Sequence, residues 1–160
     1  MSESTPLPQG RAISNFDEVL KYIQPGPYIV SSTDYPEFES TPVLTPGKSF
    51  ILGFTTEIFG IFSDTPAIIF DDFTTNRKFV QFKFKLKSSA LKILKSRTES
   101  VLLKYVFYFM QIVKVNTDSH KRYWIPDYSK RSILLPPLPE QENVVAKIEG
   151  QKPVELGRPA

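Results

Sequence analysis

Apolar positions first recur at helical spacing just after Ser14, where Asp17 is followed by Val19, Leu20, Tyr22 and Ile23; this predicts a short helix capped by Ser14 and stopped at Pro25-Gly26-Pro27. Tyr28 to Val30 can then open a strand. The turn signal Thr45-Pro46-Gly47-Lys48 precedes Phe50-Ile51-Leu52-Gly53-Phe54, and Pro66 precedes Ala67-Ile68-Ile69-Phe70. Both runs have the length and composition of central, buried strands. Residues 55–65 between them contain Gly60 and several polar residues, which predicts a loop or a hairpin. From Phe79 onward, Phe82, Phe84 and Leu86 alternate with Lys83, Lys85 and Lys87, the period-two signature of a strand with one basic face. Ser88 and Ser89 can cap a helix through Ala90, Leu91, Ile93 and Leu94, and Ser96 with Glu99 reads as a capping box for a longer apolar helix that ends near Asn116. A polar loop over 117–121 and a strand over 129–135, broken by Pro136-Pro137, follow. Pro139 then suits the first turn of a last helix over 140–149.

Strands and helices are interspersed irregularly, so the pattern predicts an α+β fold: a twisted, mixed or largely antiparallel sheet with helices packed on it. The 160 residues accommodate one domain, divided into a disordered lead-in at 1–13, a folded body at 14–138, the helix at 139–149 and a tail at 150–160. Hydrophobic residues are 41% of the chain and aromatics 13%, enough for a packed interior. Cysteine is absent, which excludes disulfides, thiolate nucleophiles and Cys-ligated zinc and points to a reducing cytoplasm. The single histidine, His120, excludes His-rich metal sites and leaves Ser-His-Asp chemistry one residue to rest on. Met1 to Arg11 lack the basic start and apolar centre of a signal peptide. Val101 to Val115 is interrupted by Lys104, Gln111 and Lys114 and falls short of the roughly 20 residues a membrane span needs, so it is expected to be a buried helix.

Charge changes the picture most. The net charge of +3 conceals a division: residues 1–76 hold 3 Lys/Arg against 10 Asp/Glu, residues 77–131 hold 14 against 3, and residues 132–160 hold 3 against 4. A scattered excess of lysine would merely solvate surface faces, but one concentrated in the middle third implies an anionic partner, nucleic acid first. Lys48, Lys83, Lys85, Lys87, Lys92 and Lys95 are the candidates for phosphate contact.

Asp118-Ser119-His120-Lys121-Arg122-Tyr123-Trp124 combines side chains able to read bases with aromatics after a long helix. An arginine can grip guanine through two hydrogen bonds in the major groove, so His120, Lys121, Arg122 and Tyr123 are the first candidates for readout. The competing reading is a solvated loop whose Tyr123 and Trp124 dip into the core. Ser31-Ser32-Thr33, Thr55-Thr56-Glu57 and the stretch from Thr74 to Lys78, with Arg77 and Lys78, are weaker candidates of the same kind.

Enzymatic readings compete with binding. Asp71 and Asp72 after an apolar strand, with Gln81-Phe82-Lys83 on the next, resemble a metal-dependent nuclease core loosely: Gln81 supplies a neutral carbonyl where a carboxylate ligand belongs. The bland assignment for both aspartates is turn or cap carboxylates. A glycine motif for a methyl-donor cofactor, a motif for the target amino group and a Gly-x-x-x-x-Gly-Lys phosphate loop are all missing. No cofactor and no metal are expected. A basic scaffold that binds nucleic acid without sequence preference is the remaining alternative.

Leu134-Leu135-Pro136-Pro137-Leu138-Pro139-Glu140-Gln141, leading into a helix with Val144, Val145 and Ile148, resembles the end of a target-recognition domain in type I restriction-modification specificity subunits. Tyr28-Ile29-Val30, the run from Pro42 to Gly53, the run from Ile68 to Thr75 and Lys87-Ser88-Ser89-Ala90 resemble one recurring subtype of that domain, and together the matches cover about residues 14–149. The resemblance implies a non-catalytic subunit in which two recognition domains each read half of a split double-stranded DNA site. In that arrangement long spacer helices join the domains and hold methyltransferase subunits, with restriction subunits in the full complex. It makes 139–149 the start of such a spacer and Val144, Val145 and Ile148 a candidate partner interface. With one domain present, a second recognition domain or a second copy of the chain is a further implied partner.

Overall fold

The computed structural model describes residues 11–32, 40–47, 49–117 and 121–151. Its elements in chain order are β1 (Ala12–Asn15), α1 (Phe16–Val19), β2 (Leu20–Ile23), β3 (Thr41–Leu44), β4 (Ile51–Thr55), β5 (Ala67–Asp71), β6 (Arg77–Val80), β7 (Lys85–Leu86), β8 (Leu91–Ser96), α2 (Leu103–Met110), β9 (Ser132–Leu135) and α3 (Leu138–Gln151). They form an antiparallel sheet in the order β2-β8-β5-β6, a smaller one in the order β4-β3-β7, and the pair β1-β9. Among these strands of the described residues, only the pair β3 and β7 runs parallel. This is the expected α+β class with mixed, mostly antiparallel sheets.

The organising strand is β5. All five of its residues are buried, because both faces of its sheet are covered. Ile68 and Phe70 join α2, Trp124 and Tyr128 in one apolar cluster. Ala67 and Ile69 join Leu44, Phe62, Phe84 and Leu86 in the other. A strand covered on both faces reads as an unbroken apolar run, which is why its position was legible.

The same two-sided burial hid its neighbour. The run Leu91–Ser96 is not a helix but strand β8, paired with β2 on one edge and β5 on the other. Leu91 and Ile93 enter one cluster and Leu94 the other, a distribution that a short run cannot distinguish from helical spacing. Ser88 Oγ accepts the Ala90 amide at 3.0 Å, a local turn rather than a helix cap.

Other expectations give way for related reasons. The first helix is a single turn, with Glu18 Oε1 accepting the Asn15 amide at 2.7 Å, and the chain passes at Leu20 into β2 because pairing with β8 is available. Residues 26–28 form a 3-10 turn, and Ile29 makes one parallel bridge to Leu86. β4 is an edge strand with Ile51 and Leu52 exposed, not a central one. The basic-faced strand breaks after Val80: Phe82 is exposed, whereas Phe84, Lys85 and Leu86 are all buried. α2 begins at Leu103 rather than after Ser96, and β9 begins at Ser132 after a 3-10 turn at Tyr128–Lys130. α3 forms as expected. Its buried Gln141 accepts the Leu102 amide at 2.8 Å and donates to the carbonyls of Ser100 and Pro136, pinning the helix to the start of α2. Among the described residues no helix is long and apolar enough to cross a membrane.

Lys85 is the least expected interior residue. Its ammonium is fully buried, 2.7 Å from the Phe59 carbonyl and 3.1 Å from Glu57 Oε1. Glu57 in turn accepts the amides of Ser31 and Ser32 at 3.0 Å each. Burial pushes the Glu57 carboxyl up, but the Lys85 ammonium and the two amides outweigh it and hold the group below its ordinary value. Gly60 closes the loop at φ +61°, and a Cβ there would lie 2.4 Å from the Pro27 carbonyl oxygen.

Lys85→Ala strands the Glu57 carboxylate and is expected to cost about 3–5 kcal/mol in denaturant unfolding. Gly60→Ala is expected to cost more than about 1 kcal/mol in the same assay. The Glu57 contribution is complete above the ordinary value of 4.5 and is lost as pH falls through the lowered folded value. Wild-type stability in the Lys85 variant at neutral pH would contradict this account.

Candidate nucleic-acid interface

β5 leads directly into the candidate site. Leu91 pairs with Asp71, and the Leu44 carbonyl accepts the Lys87 amide, so the loops after β3, β5 and β7 emerge at one end of the two sheets. There Asp71 closes a tight turn: its Oδ1 accepts the Phe73 amide at 3.0 Å, its carbonyl accepts the Thr75 amide, and its own amide donates to Asn76. Thr75 sits at φ +62°. The Asp71 carboxylate is thus a turn residue.

Asp72, 1% exposed, ties the turn to two other segments. Its amide donates to the Ala90 carbonyl at 2.9 Å, just ahead of β8. Its carbonyl accepts the Tyr123 amide at 2.9 Å, and Oδ1 accepts the amides of Tyr123 at 3.1 Å and Trp124 at 2.7 Å. Oδ2 lies 3.6 Å from both Lys92 Nζ and Arg122 Nη1. A buried carboxylate is tolerated only with such hydrogen bonds and counter-charges. This is a different office from holding a metal, and among the described residues no group of three or more His, Asp or Glu could do that.

Tyr123 and Trp124 are the anchors of the segment. Both are buried, and the Trp124 ring lies 5.2 Å from Phe70 and 5.9 Å from Tyr128. Burial pushes the Tyr128 hydroxyl up to about 12, and it donates to the Met110 carbonyl at 3.2 Å. With its aromatics inside, the segment turns Lys121 and Arg122 outward. The Arg122 side chain is 49% exposed, its guanidinium 4.9 Å above the exposed Phe73 ring and Nη1 3.5 Å from the Ser89 carbonyl. Exposed Thr74, Asn76, Lys87 and Ser89 complete a polar, basic surface around it. Beside this surface lies a cleft of about 380 Å³ lined by Phe50, Asp71, Asn76, Arg77 and Lys78, with the Lys78 ammonium 5.7 Å from the Phe50 ring.

The structure sorts the residues singled out from the sequence. Lys121 and Arg122 are exposed next to each other, Lys87 is exposed two residues before the Ser89 carbonyl that Arg122 approaches, and Lys78 lines the cleft. Tyr123 is removed from the readout set because its ring is buried under its own loop. Arg77 is half-buried, with a guanidinium nitrogen donating to the Thr75 carbonyl. Thr55 is buried and Thr56 exposed, but both lie at the end of β4 away from this surface, where Thr55 Oγ1 accepts the Glu57 amide. His120 and Lys48 lie outside the described residues.

Among the phosphate candidates, Lys83 and Lys87 are exposed. Lys85 is removed from the set by its buried bond to Glu57. Lys92 is removed by burial beside Asp72, with its ammonium 4.3 Å over the Tyr22 ring. Lys95 is held at the far end of the sheet by the carbonyls of Asp64 and Pro66 at 2.6 and 2.7 Å. On α3, Val145 belongs to the chain's own core and Val144 packs against it, which takes both away from a free interface; Ile148 remains half-exposed. Glu149 holds α3 to α2 through Lys104 at 2.9 Å and the Tyr108 hydroxyl at 3.0 Å. The functional residues that sequence reasoning missed are Asp72 as a loop anchor and Phe73 as the support beneath Arg122. An aspartate pair after an apolar strand was visible, but its partners lie 51 and 52 positions away.

No family model matches the chain. Over 124 residues it is 48% identical to the specificity subunit of the type I restriction enzyme EcoR124I/EcoR124II of Escherichia coli, an alignment covering 74% of this chain and 31% of that protein. The chain therefore spans about a third of the length of that relative. The fold is shared with the HsdS subunit from Thermoanaerobacter tengcongensis, with a TM-score of 0.64 and 16% identity over 93% of this chain and 39% of that one. It is also shared with the S subunit of a type I restriction-modification system from M. genitalium, with a TM-score of 0.66 and 9% identity over 89% and 40% of the two chains.

Proposed function

We propose that the chain, 48% identical over 124 residues to a type I restriction enzyme specificity subunit, is a target-recognition domain that reads one half of a bipartite DNA site and performs no catalysis itself. The observation that carries the reading is the surface built on Asp72, where buried aromatics and a buried carboxylate hold a loop so that one guanidinium is offered to solvent on an aromatic support. Contacts to base edges specify, whereas contacts to phosphates only position. Arg122 has the donor geometry for a guanine edge, and Thr74, Asn76 and Ser89 supply shorter hydrogen-bonding groups beside it. Lys78, Lys87 and Lys121 supply positive charge around that centre, with Lys83 on the flank.

Cleavage and methylation then belong to partners. A methyltransferase subunit would meet the outer face of α3, where Ile148 is half-exposed, and restriction subunits would join through it; a second recognition domain or a second copy of the chain would read the other half-site. A cytoplasmic location fits a protein with this partner set and no cysteine.

The test is a binding titration of wild type and single variants on a duplex selected from a randomised pool and on a scrambled duplex, at two salt concentrations. Lys87→Ala and Lys121→Ala are expected to weaken binding to both duplexes alike and to reduce the salt slope by about 0.9 per lost phosphate contact. Arg122→Ala is expected to cost roughly 1–3 kcal/mol on the selected duplex and much less on the scrambled one. Equal losses on both duplexes for Arg122→Ala would overturn the readout assignment, and a salt response unchanged by the lysine variants would overturn the phosphate assignment.

A further inference from the structure

A guanidinium on a mobile loop discriminates poorly between base pairs, because the cost of ordering the loop opposes every contact it makes. Arg122 is different, since the backbone that follows it is fixed from beneath. Asp72 Oδ1 accepts the amides of the next two residues, Tyr123 and Trp124, and the Asp72 carbonyl accepts the Tyr123 amide as well. The other carboxylate oxygen behaves differently. Oδ2 is buried, has no hydrogen-bond partner, and stands 3.6 Å from two cations, Arg122 Nη1 and Lys92 Nζ. At that distance neither cation is hydrogen-bonded. Lys92 is itself buried and held over the Tyr22 ring, whereas half of the Arg122 side chain is open to solvent. The carboxylate thus grips the loop backbone through one oxygen and the Arg122 side chain only loosely through the other.

We propose that Asp72 is the positioning residue for base readout: Oδ1 sets the backbone from which Arg122 projects, and Lys92 balances the Asp72 charge so that the guanidinium is released to a base edge on binding. This deepens the reading above and rests on it. Asp72 itself stays under the loop and touches no DNA. A purely structural carboxylate would, when altered, lower stability and weaken all duplex binding in parallel; a positioning carboxylate changes the choice of sequence at constant general affinity.

The experiment compares the 160-residue chain with its Asp72→Asn and Asp72→Ala variants. Each is presented with a duplex pool carrying a randomised central segment, then titrated on the duplex that wild type selects and on a scrambled duplex. Asparagine keeps an oxygen for the two amides but turns an NH2 toward two cations; alanine removes the acceptor. The expected preference for the selected duplex falls in the order wild type, Asp72→Asn, Asp72→Ala, with the alanine loss about tenfold or more and scrambled-duplex affinity held within about twofold. Amide exchange at Trp124 is expected to accelerate in the same order. Should Asp72→Ala fail to fold because Lys92 is left buried without a partner, the double variant Asp72→Asn with Lys92→Met removes that ammonium, and its preference is expected to fall with the same constant scrambled affinity. Preference equal to wild type in the folded variants, or parallel losses on both duplexes, would overturn the proposal. A wild-type chain that enriches no sequence would instead overturn the reading of the surface as a readout face.

Discussion

One buried carboxylate decides how the basic end of this molecule is arranged. Asp72 follows β5, the strand buried on both faces, so its position is set by the packing of both apolar clusters. From that fixed point it binds the backbone ahead of β8 and the backbone of the segment after α2, two stretches that no sheet ladder connects. A carboxylate in such surroundings is costly without hydrogen bonds and counter-charges; the bonds at Oδ1 that offset the cost also orient the loop, while Oδ2 has only its two counter-charges. The aromatic anchors Tyr123 and Trp124 make the placement firm from the other side by burying their rings as their amides reach Asp72.

A second buried ion pair does comparable work for the opposite loop. Lys85 and Glu57 hold residues 56–60 against Ser31 and Ser32, with Gly60 allowing the backbone to pass beside Pro27. The strongly basic middle of the chain therefore separates into two populations. Lys85 and Lys92 are interior counter-charges, whereas Lys78, Lys83, Lys87, Lys121 and Arg122 face outward. Total charge points to an anionic partner, but burial decides which cations are free to meet one.

How far the sequence could be read follows from this division. The α+β class, β5 and α3 were legible because a doubly buried apolar run and a proline-led amphipathic helix are local signals. β8 was not, since an apolar run alternating with Lys92 and Lys95 looks helical until β2 and β5 flank it. Arg122 was legible as a candidate because arginine beside aromatics is a recognisable composition, whereas Tyr123 stood between a readout role and a place in the core, and only tertiary packing, which buries its ring, decides for the core. Lys85 was misread for the same reason. Its place in the alternation promised an outward face, and a glutamate 28 positions earlier drew it in.

The measurement that tests the account most directly is a map of amide hydrogen exchange over the whole chain, free and bound to a duplex selected from the randomised pool. Added protection is expected to concentrate on the loops at residues 71–76, 87–90 and 121–124, while the exposed edge strand β4 and the loop at 56–60 stay unchanged. Protection centred on β4 and residues 56–60, with the Arg122 end unaffected, would contradict it.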